Sequence, residues 1–261
     1  MGREVMLYED EWSTEIYDFV SRSRRDDVEL WLTLANETGG PVLELACGTG
    51  RALLPLAQAG YECVGIDLSP YMLRIARRKL AQEPADVRGR VTLAEGDMKS
   101  FDLGREFGLV FITARSLQAL LTREDQRACL QRCARHLRPG GLLGIDVFNP
   151  RLDRLVRPGG VDEQPDEYDG PDGCRVRETG HTDYDLANQT LVWKSRAECT
   201  SGDGQVVVRE YDCPLHYFFR FEFEWMLEAC GFEVEALYGD FARSPFTAES
   251  PEMVFVARRA V

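Results

Sequence analysis

No stretch of this 261-residue sequence approaches the roughly 18 consecutive apolar residues that a membrane-crossing helix needs. The first residues, Met1 to Asp10, are polar and acidic and lack the apolar core of a secretory signal. Together these absences point to a cytoplasmic protein with no membrane partner. Positive charge is also short. Lys and Arg total 31 against 44 Asp and Glu, for a formal net charge of -13. Asp162, Glu163, Asp166, Glu167, Asp169 and Asp172 follow one another with no basic residue between them. A nucleic-acid binder needs a basic surface to displace counterions, so the balance argues against DNA or RNA as a partner.

Cysteine is plentiful, at eight, but no two form a CxxC pair. In a chain of this size with no export signal they read as reduced core thiols. Cys129 and Cys133 share a predicted helix, yet no second ligand pair accompanies them, and no metal site is expected. Histidine is scarce, at three. His136 ends a helix, where it would complement the C-terminal dipole. His181 lies among later strands. His216 stands between those strands and the next helix, which makes it the candidate general base.

What is present is an alternation. Residues 14–36 have helical apolar spacing and stop at Gly39-Gly40-Pro41. Strands are predicted at 42–46, 63–66, 91–94, 109–113 and 142–148, with helices at 52–59, 70–81 and 124–137 between them. Ser69 and Pro70 supply an N-cap and first-turn pair for the second of these helices. Such spacing implies βαβ units, hence a mostly parallel, doubly wound sheet with helices on both faces. The period changes after Asn149-Pro150. Residues 151–172 read as a loop, and 174–180, 190–199 and 205–213 as strands. Ser201-Gly202-Asp203-Gly204 forms a hairpin turn between the last two. In the middle strand Leu191, Trp193, Ser195 and Ala197 share one face, and Lys194, Arg196 and Glu198 the other. Glu210 and Asp212 on the partner strand would pair with those bases, giving an antiparallel ribbon with one solvated side. Residues 151–217 are therefore expected to be an inserted β lid over the sheet's ligand edge. Residues 1–150 and 218–261 would form the core, which resumes with a helix at 222–229 and strands at 232–238 and 253–257.

The segment Val42-Leu43-Glu44-Leu45-Ala46-Cys47-Gly48-Thr49-Gly50-Arg51 runs from a strand through a glycine turn into a helix. Gly48 and Gly50 allow close approach of a ligand at a strand's carboxyl end. Asp67 ends the second strand, 17 residues after Gly50, where a carboxylate accepts both hydroxyls of a ribose. Asp97 and Met98 after the third strand would bind and pack an adenine. A dinucleotide fingerprint needs a third glycine, and Leu53 stands there. Glu44 beside the loop would repel a diphosphate but suit an ammonium group. The electrostatics select S-adenosylmethionine (SAM), which carries an ammonium, a sulfonium and a ribosyl adenine.

With "VLELACGTGR", "VGIDLSPYML", "GDM" and "LRPGGLL", the chain resembles the class I SAM-dependent methyltransferases, in particular the bacterial small-molecule group. The likeness covers residues 14–150 and returns over 218–261 through Ala229-Cys230-Gly231-Phe232. It implies a Rossmann-like, seven-stranded sheet ending in an antiparallel strand pair. It also implies roles for single residues. Glu44 would face the methionyl amine, with Ala46, Gly48 and Gly50 along the methionyl and ribose portions. Asp67 would hold the ribose, Leu68 and Met72 would lie near the adenine, Asp97 would accept from the adenine amino group, and Met98 would cover the ring. Ala46 replaces the family's more usual glycine. Tyr17, in a "YD" pair with Asp18, either closes over the cofactor, where its ring would attract a sulfonium, or packs on the core. Both readings stand.

Methyl transfer is an in-line displacement that needs alignment and exclusion of water. The fourth strand ends in Thr113-Ala114-Arg115-Ser116. Enzymes that methylate base amino groups carry an Asp/Asn-Pro-Pro-Tyr/Phe motif there, and this chain does not. Arg115 either holds a carboxylate of acceptor or cofactor or is a surface arginine on a loop, and both readings stand. Tyr17, Arg115 and His216 are thus the candidate catalytic groups. The expected activity is transfer of a methyl group to an O or N atom of a small-molecule acceptor, by a monomer or homodimer. The competing readings are a non-catalytic SAM-binding module and an NAD-dependent oxidoreductase.

Overall fold

The computed structural model describes residues 5–6, 10–22 and 25–260. In chain order the elements are β1 (Val5–Met6), α1 (Glu11–Ser21), α2 (Val28–Thr38), β2 (Val42–Leu45), α3 (Leu53–Gln58), β3 (Cys63–Asp67), α4 (Pro70–Leu80), α5 (Ala85–Arg88), β4 (Val91–Glu95), β5 (Phe107–Ile112), α6 (Arg123–His136), β6 (Leu137–Phe148), α7 (Leu152–Leu155), β7 (Val161–Asp162), β8 (Asp166–Asp169), β9 (Arg175–Asp185), β10 (Thr190–Thr200), β11 (Val206–His216), α8 (Arg220–Ala229), β12 (Phe232–Tyr238) and β13 (Glu252–Arg259).

The larger sheet has seven strands in the order β12-β13-β6-β5-β2-β3-β4. The five from β6 to β4 are parallel, and β13 and β12 are antiparallel, as expected. Every residue of β2, β3 and β5 is buried. They lack polar alternation because helices cover both faces. Leu43, Ile66 and Ile112 face α6 and α8 through Leu130 and Phe223. Val42, Leu109 and Phe111 face Trp31 of α2 and Leu53 of α3. Each such side chain contributes roughly 1.5–3 kcal/mol by leaving water. Gly144 of β6 lets α2 approach, since a Cβ there would come 2.5 Å from the Trp31 ring.

Local signals start and stop the helices. Ser69 caps α4, with its hydroxyl accepting the Met72 N–H at 3.3 Å. Thr122 caps α6 in the same way, at 3.2 Å from the Asp125 nitrogen. The stretch 14–36 is not one helix. It divides into α1 and α2, and the break sets Asp27 at the mouth of α2, where its carboxylate turns inward. β6 starts at Leu137, which already pairs with Phe107, so the strand begins before the Pro139-Gly140-Gly141 stop.

The second sheet is larger than a ribbon. β9, β10 and β11 are antiparallel, with Lys194 opposite Asp212 and Arg196 opposite Glu210. Leu191, Ser195 and Ala197 are buried, and Lys194 and Arg196 are exposed, as the alternation implied. The acidic stretch is not a plain loop: it holds α7, β7 and β8, and both strands pair with β9. β8 also carries ion pairs to its neighbour. Arg175 of β9 pairs with Asp169 at 3.1 Å and Glu167 at 3.3 Å. β1 also joins this sheet, parallel to β11, so the N-terminal strand leaves the core sheet.

Helix α1 ties the two sheets together. Trp12 stacks on Tyr211 of β11 with centroids 6.1 Å apart. On another side α1 meets α4, where Glu15 pairs with Arg78 at 2.9 Å and Asp18 with Lys79. No helix among the described residues is long and apolar enough to cross a membrane.

Candidate active site

The strands β2, β3 and β4 step one way across the sheet, and the chain then returns to set β5 on the other side of β2. The carboxyl ends of β2 and β5 thus form the topological switch point, where open α/β sheets bind ligands. Unusual backbone collects there. After β2, φ is 54° at Ala46, 53° at Gly48 and 77° at Gly50; after β5 it is 56° at Ala114 and 63° at Arg115. The left-handed region costs a residue with a Cβ on the order of 1–2 kcal/mol, and such strain gathers at functional sites.

Asp67 holds the glycine loop. Its Oδ2 accepts the Gly48 N–H at 2.7 Å, and its Oδ1 the Ser69 N–H at 2.8 Å. Each oxygen keeps a lone pair. Burial pushes this carboxyl above its usual range, against the pull of those two N–H groups. A Cβ on Gly48 would lie 3.9 Å from both Met72 Sδ and a Tyr17 ring carbon, so Tyr17 and Met72 lie beside the turn. Leu68, next to Asp67, is 67% exposed. The loop after β4 is tied in by the Gly96 N–H, which reaches the Asp67 carbonyl at 3.0 Å. Asp97 Oδ1 accepts the Lys99 N–H at 2.9 Å, and Met98 packs, half-buried, on the core. Glu44, Ala46, Gly48, Gly50, Asp67, Leu68, Met72, Asp97, Met98 and Tyr17 therefore lie on the adjoining ends of β2, β3 and β4 and on the α1 and α4 that cover them.

Glu44 is the anomaly. It is 1% exposed, and its Oε2 has no hydrogen-bond partner among the described residues. Burial drives its carboxyl far above the usual range. The Arg51 charge pulls it down, and the Asp27 and Asp67 charges push it further up. An orphaned buried oxygen costs about 1–3 kcal/mol and asks for an explanation. The nearby Arg51 forms a fork with Asp27 at 2.5 and 2.7 Å. Asp27 Oδ2 also accepts from Thr113 Oγ1 at 2.8 Å and from Trp31 Nε1 at 3.1 Å. Burial raises Asp27, but the Arg51 contacts and the other donors outweigh it and leave this carboxyl below its usual range. Glu44 Oε2 is thus a buried acceptor on β2 that the described residues leave without a donor.

On the β5 side, the Arg115 guanidinium is bound to Glu252 of β13 at both ends. Its backbone N–H donates to Asp146 Oδ2 at 2.9 Å. Asp146, on β6, is 1% exposed, and its Oδ1 is unpartnered. Burial, then the Glu252 charge, push it up to about 7. His216, at the end of β11, is buried with Nδ1 unpartnered, and burial lowers its pKa. Phe218 meets its ring edge-on at 4.6 Å. Gln118 is a clamp: it donates to the His216 carbonyl at 2.8 Å and accepts the Phe148 N–H at 3.0 Å. It thereby ties the second sheet to β6. The other histidines lie elsewhere. His136 accepts the Leu103 N–H on Nε2 at 3.0 Å. His181 stands between Asp162 at 2.7 Å and Asp183 at 3.1 Å on the second sheet. The aromatic run divides: Tyr217, Phe218 and Phe223 are core, while Phe221 and Trp225 are exposed.

Sequence reasoning missed Asp27 and Asp146. Asp27 looks like an ordinary cap, and its partners Arg51 and Thr113 are distant in sequence. Asp146 did leave a signal, a lone acid within Leu142-Leu143-Gly144-Ile145-Asp146-Val147-Phe148.

A family model described as "Methyltransferase domain" matches residues 42–141. The chain is 28% identical to the cypemycin N-terminal methyltransferase of a Streptomyces species, over 96% of this chain and 97% of that one. It is 35% identical to the dTDP-3-amino-3,4,6-trideoxy-alpha-D-glucopyranose N,N-dimethyltransferase of Streptomyces venezuelae, over 41% of this chain and 42% of that one. The solved structure of the CcbJ methyltransferase from Streptomyces caelestis superposes with a TM-score of 0.80 at 26% identity, covering 98% of this chain and 99% of that one.

Proposed function

We propose, from the premise that the chain is a class I SAM-dependent methyltransferase acting on a nitrogen or oxygen of a small molecule, that its acceptor is a small-molecule amine. The orphaned Glu44 Oε2 carries the placement of the cofactor. The α-ammonium of SAM is the donor that this oxygen lacks, so the residues present fit the group.

In this reading Asp67 receives the ribose hydroxyls on the lone pairs that Gly48 and Ser69 leave free. Leu68 and Met72 flank the adenine, Asp97 accepts from its amino group, and Met98 covers the ring. The main chain at Ala46, Gly48 and Gly50 lies along the methionyl and ribose parts. Tyr17, carried by α1 to the glycine turn, offers its ring face to the sulfonium. When bound, SAM supplies a methyl group already activated by the sulfonium. The protein's part is to align the acceptor and exclude water. The second sheet and the 151–217 segment serve as the lid. An amine attacks only when neutral, so a proton must leave it. His216 is the candidate base, and the burial that lowers its pKa keeps the ring neutral and able to accept. Arg115 borders the acceptor as an orienting group fixed by Glu252.

Two observations support an amine over a hydroxyl. The relatives named above methylate an N-terminal amine and an amino sugar. The acidic balance of the chain also attracts a cationic amine centre. The same reading makes the protein a cytoplasmic monomer or homodimer with no nucleic-acid partner.

The test is release of S-adenosylhomocysteine (SAH) against matched pairs of acceptors. One pair is an amino sugar nucleotide and its hydroxyl counterpart; the other is a peptide with a free or a blocked N-terminus. SAH is expected with an amine and not with its counterpart. Turnover of the hydroxyl compound alone would refute the reading.

A further inference from the structure

We propose that Asp146 is a positioning residue for methyl transfer: its buried carboxylate holds the Ala114–Arg115 turn in its left-handed form, so that the acceptor side of the site keeps its shape. The inference rests on the amine-methyltransferase reading given above.

Ala114 and Arg115 are consecutive residues with a Cβ at φ 56° and 63°. Two left-handed residues in a row persist only where the surroundings over-determine them. Both are exposed, so side-chain packing does not impose the turn. Hydrogen bonds do. The Arg115 N–H donates to Asp146 Oδ2 at 2.9 Å. The Ser116 hydroxyl donates to the Thr113 carbonyl at 2.7 Å. The Arg115 guanidinium is locked to Glu252.

Asp146 is costly where it stands. It is a charge-bearing group on a buried strand, with one oxygen unpartnered, and a valine there would pack without that penalty. A costly buried acid whose described bond goes to a strained turn at the switch point marks a device for shape rather than for stability. Its reach is longer than one bond. Thr113, which precedes the turn, faces Asp146 and donates to Asp27, and Asp27 forks with Arg51 next to Gly50. A buried polar chain thus runs from the cofactor loop to the acceptor-side turn.

The test compares wild type, Asp146→Ala and Asp146→Asn. Asp146→Val replaces the alanine variant should the cavity unfold it, since valine suits a buried strand and offers no acceptor. Exchange of the Arg115 amide is read by NMR, SAH affinity by calorimetry, and turnover with the amine from the acceptor screen. The amide is expected to exchange about 10–100-fold faster in the alanine or valine protein, and within about threefold of wild type in Asp146→Asn, which keeps an acceptor oxygen. SAH affinity and KM for SAM should stay within about twofold while kcat falls about tenfold or more in the alanine protein, with recovery in Asp146→Asn. Unchanged amide exchange in the alanine or valine protein would overturn the proposal, and so would faster exchange with unchanged kcat. The exchange measurement needs no acceptor, so it still decides the turn if the acceptor screen refutes the amine reading.

Discussion

Asp67 accepts the Gly48 N–H at 2.7 Å, so a carboxylate at the end of β3 fixes the glycine turn at the end of β2. In the proposed cofactor site the same group, besides anchoring the loop, presents its spare lone pairs to the ribose. Asp67→Ala should weaken SAH binding by about 1–3 kcal/mol, the range for losing a buried charged hydrogen-bond partner. Calorimetric titration of the folded variant measures this. Affinity equal to wild type would remove Asp67 from the cofactor site.

Ala46 takes φ 54° with a Cβ in place. The usual glycine of this loop would relieve that strain, by about 1 kcal/mol. Ala46→Gly should therefore melt about 2–4 °C higher, the shift expected for a chain of this size. An equal or lower melting temperature would mean that contacts of the alanine methyl offset the strain.

Arg51 and Asp27 form a buried fork. Removing one partner strands the other charge, so Arg51→Ala should cost about 3–5 kcal/mol of stability. Denaturant unfolding reads this directly. A loss below about 1 kcal/mol would place the pair among surface bridges instead.

Asp146 gives a pH signature. Its carboxyl is raised to about 7 in the folded chain, by burial first and the Glu252 charge second, against about 3.9 unfolded. Between those values the folded state binds the extra proton, so stability falls as pH rises. The contribution is whole below pH of about 4 and gone above about 7. Asp146→Asn, which never ionises, should gain on wild type across that window, by on the order of 2–4 kcal/mol at most. Thermal melts near pH 5 and pH 8 test the sign. A gap that shrinks with rising pH would contradict it.

The core sheet was legible because its strands are buried on both faces and its turns carry glycine and caps. Val42–Leu45 and Cys63–Asp67 lie within a residue or two of their expected positions. So was the pairing of Arg196 with Glu210 across β10 and β11. The failures were long-range. Nothing local says that the helix breaks after Ser21 and that Asp27 opens another, because its reason for turning inward is Arg51, 24 residues on. The acidic stretch looked like a solvated loop because what orders it, backbone pairing of β7 and β8 with β9, comes from a strand further along the chain. Arg115 looked free to bind a ligand, and its partner Glu252 is 137 residues away.

Glu44 is the centre of the proposed cofactor site. Its carboxyl is driven far above the usual range by burial, and an ammonium beside it would restore the charge. Binding should therefore expel a proton, and affinity should rise with pH through the titration of Glu44. The decisive measurement is calorimetric titration with SAH in buffers of different ionisation enthalpy, for wild type and Glu44→Gln. Proton release and rising affinity in wild type, with both lost in Glu44→Gln, is the expected result. A wild type that binds SAH with no proton released, or with affinity unchanged by Glu44→Gln, would contradict it.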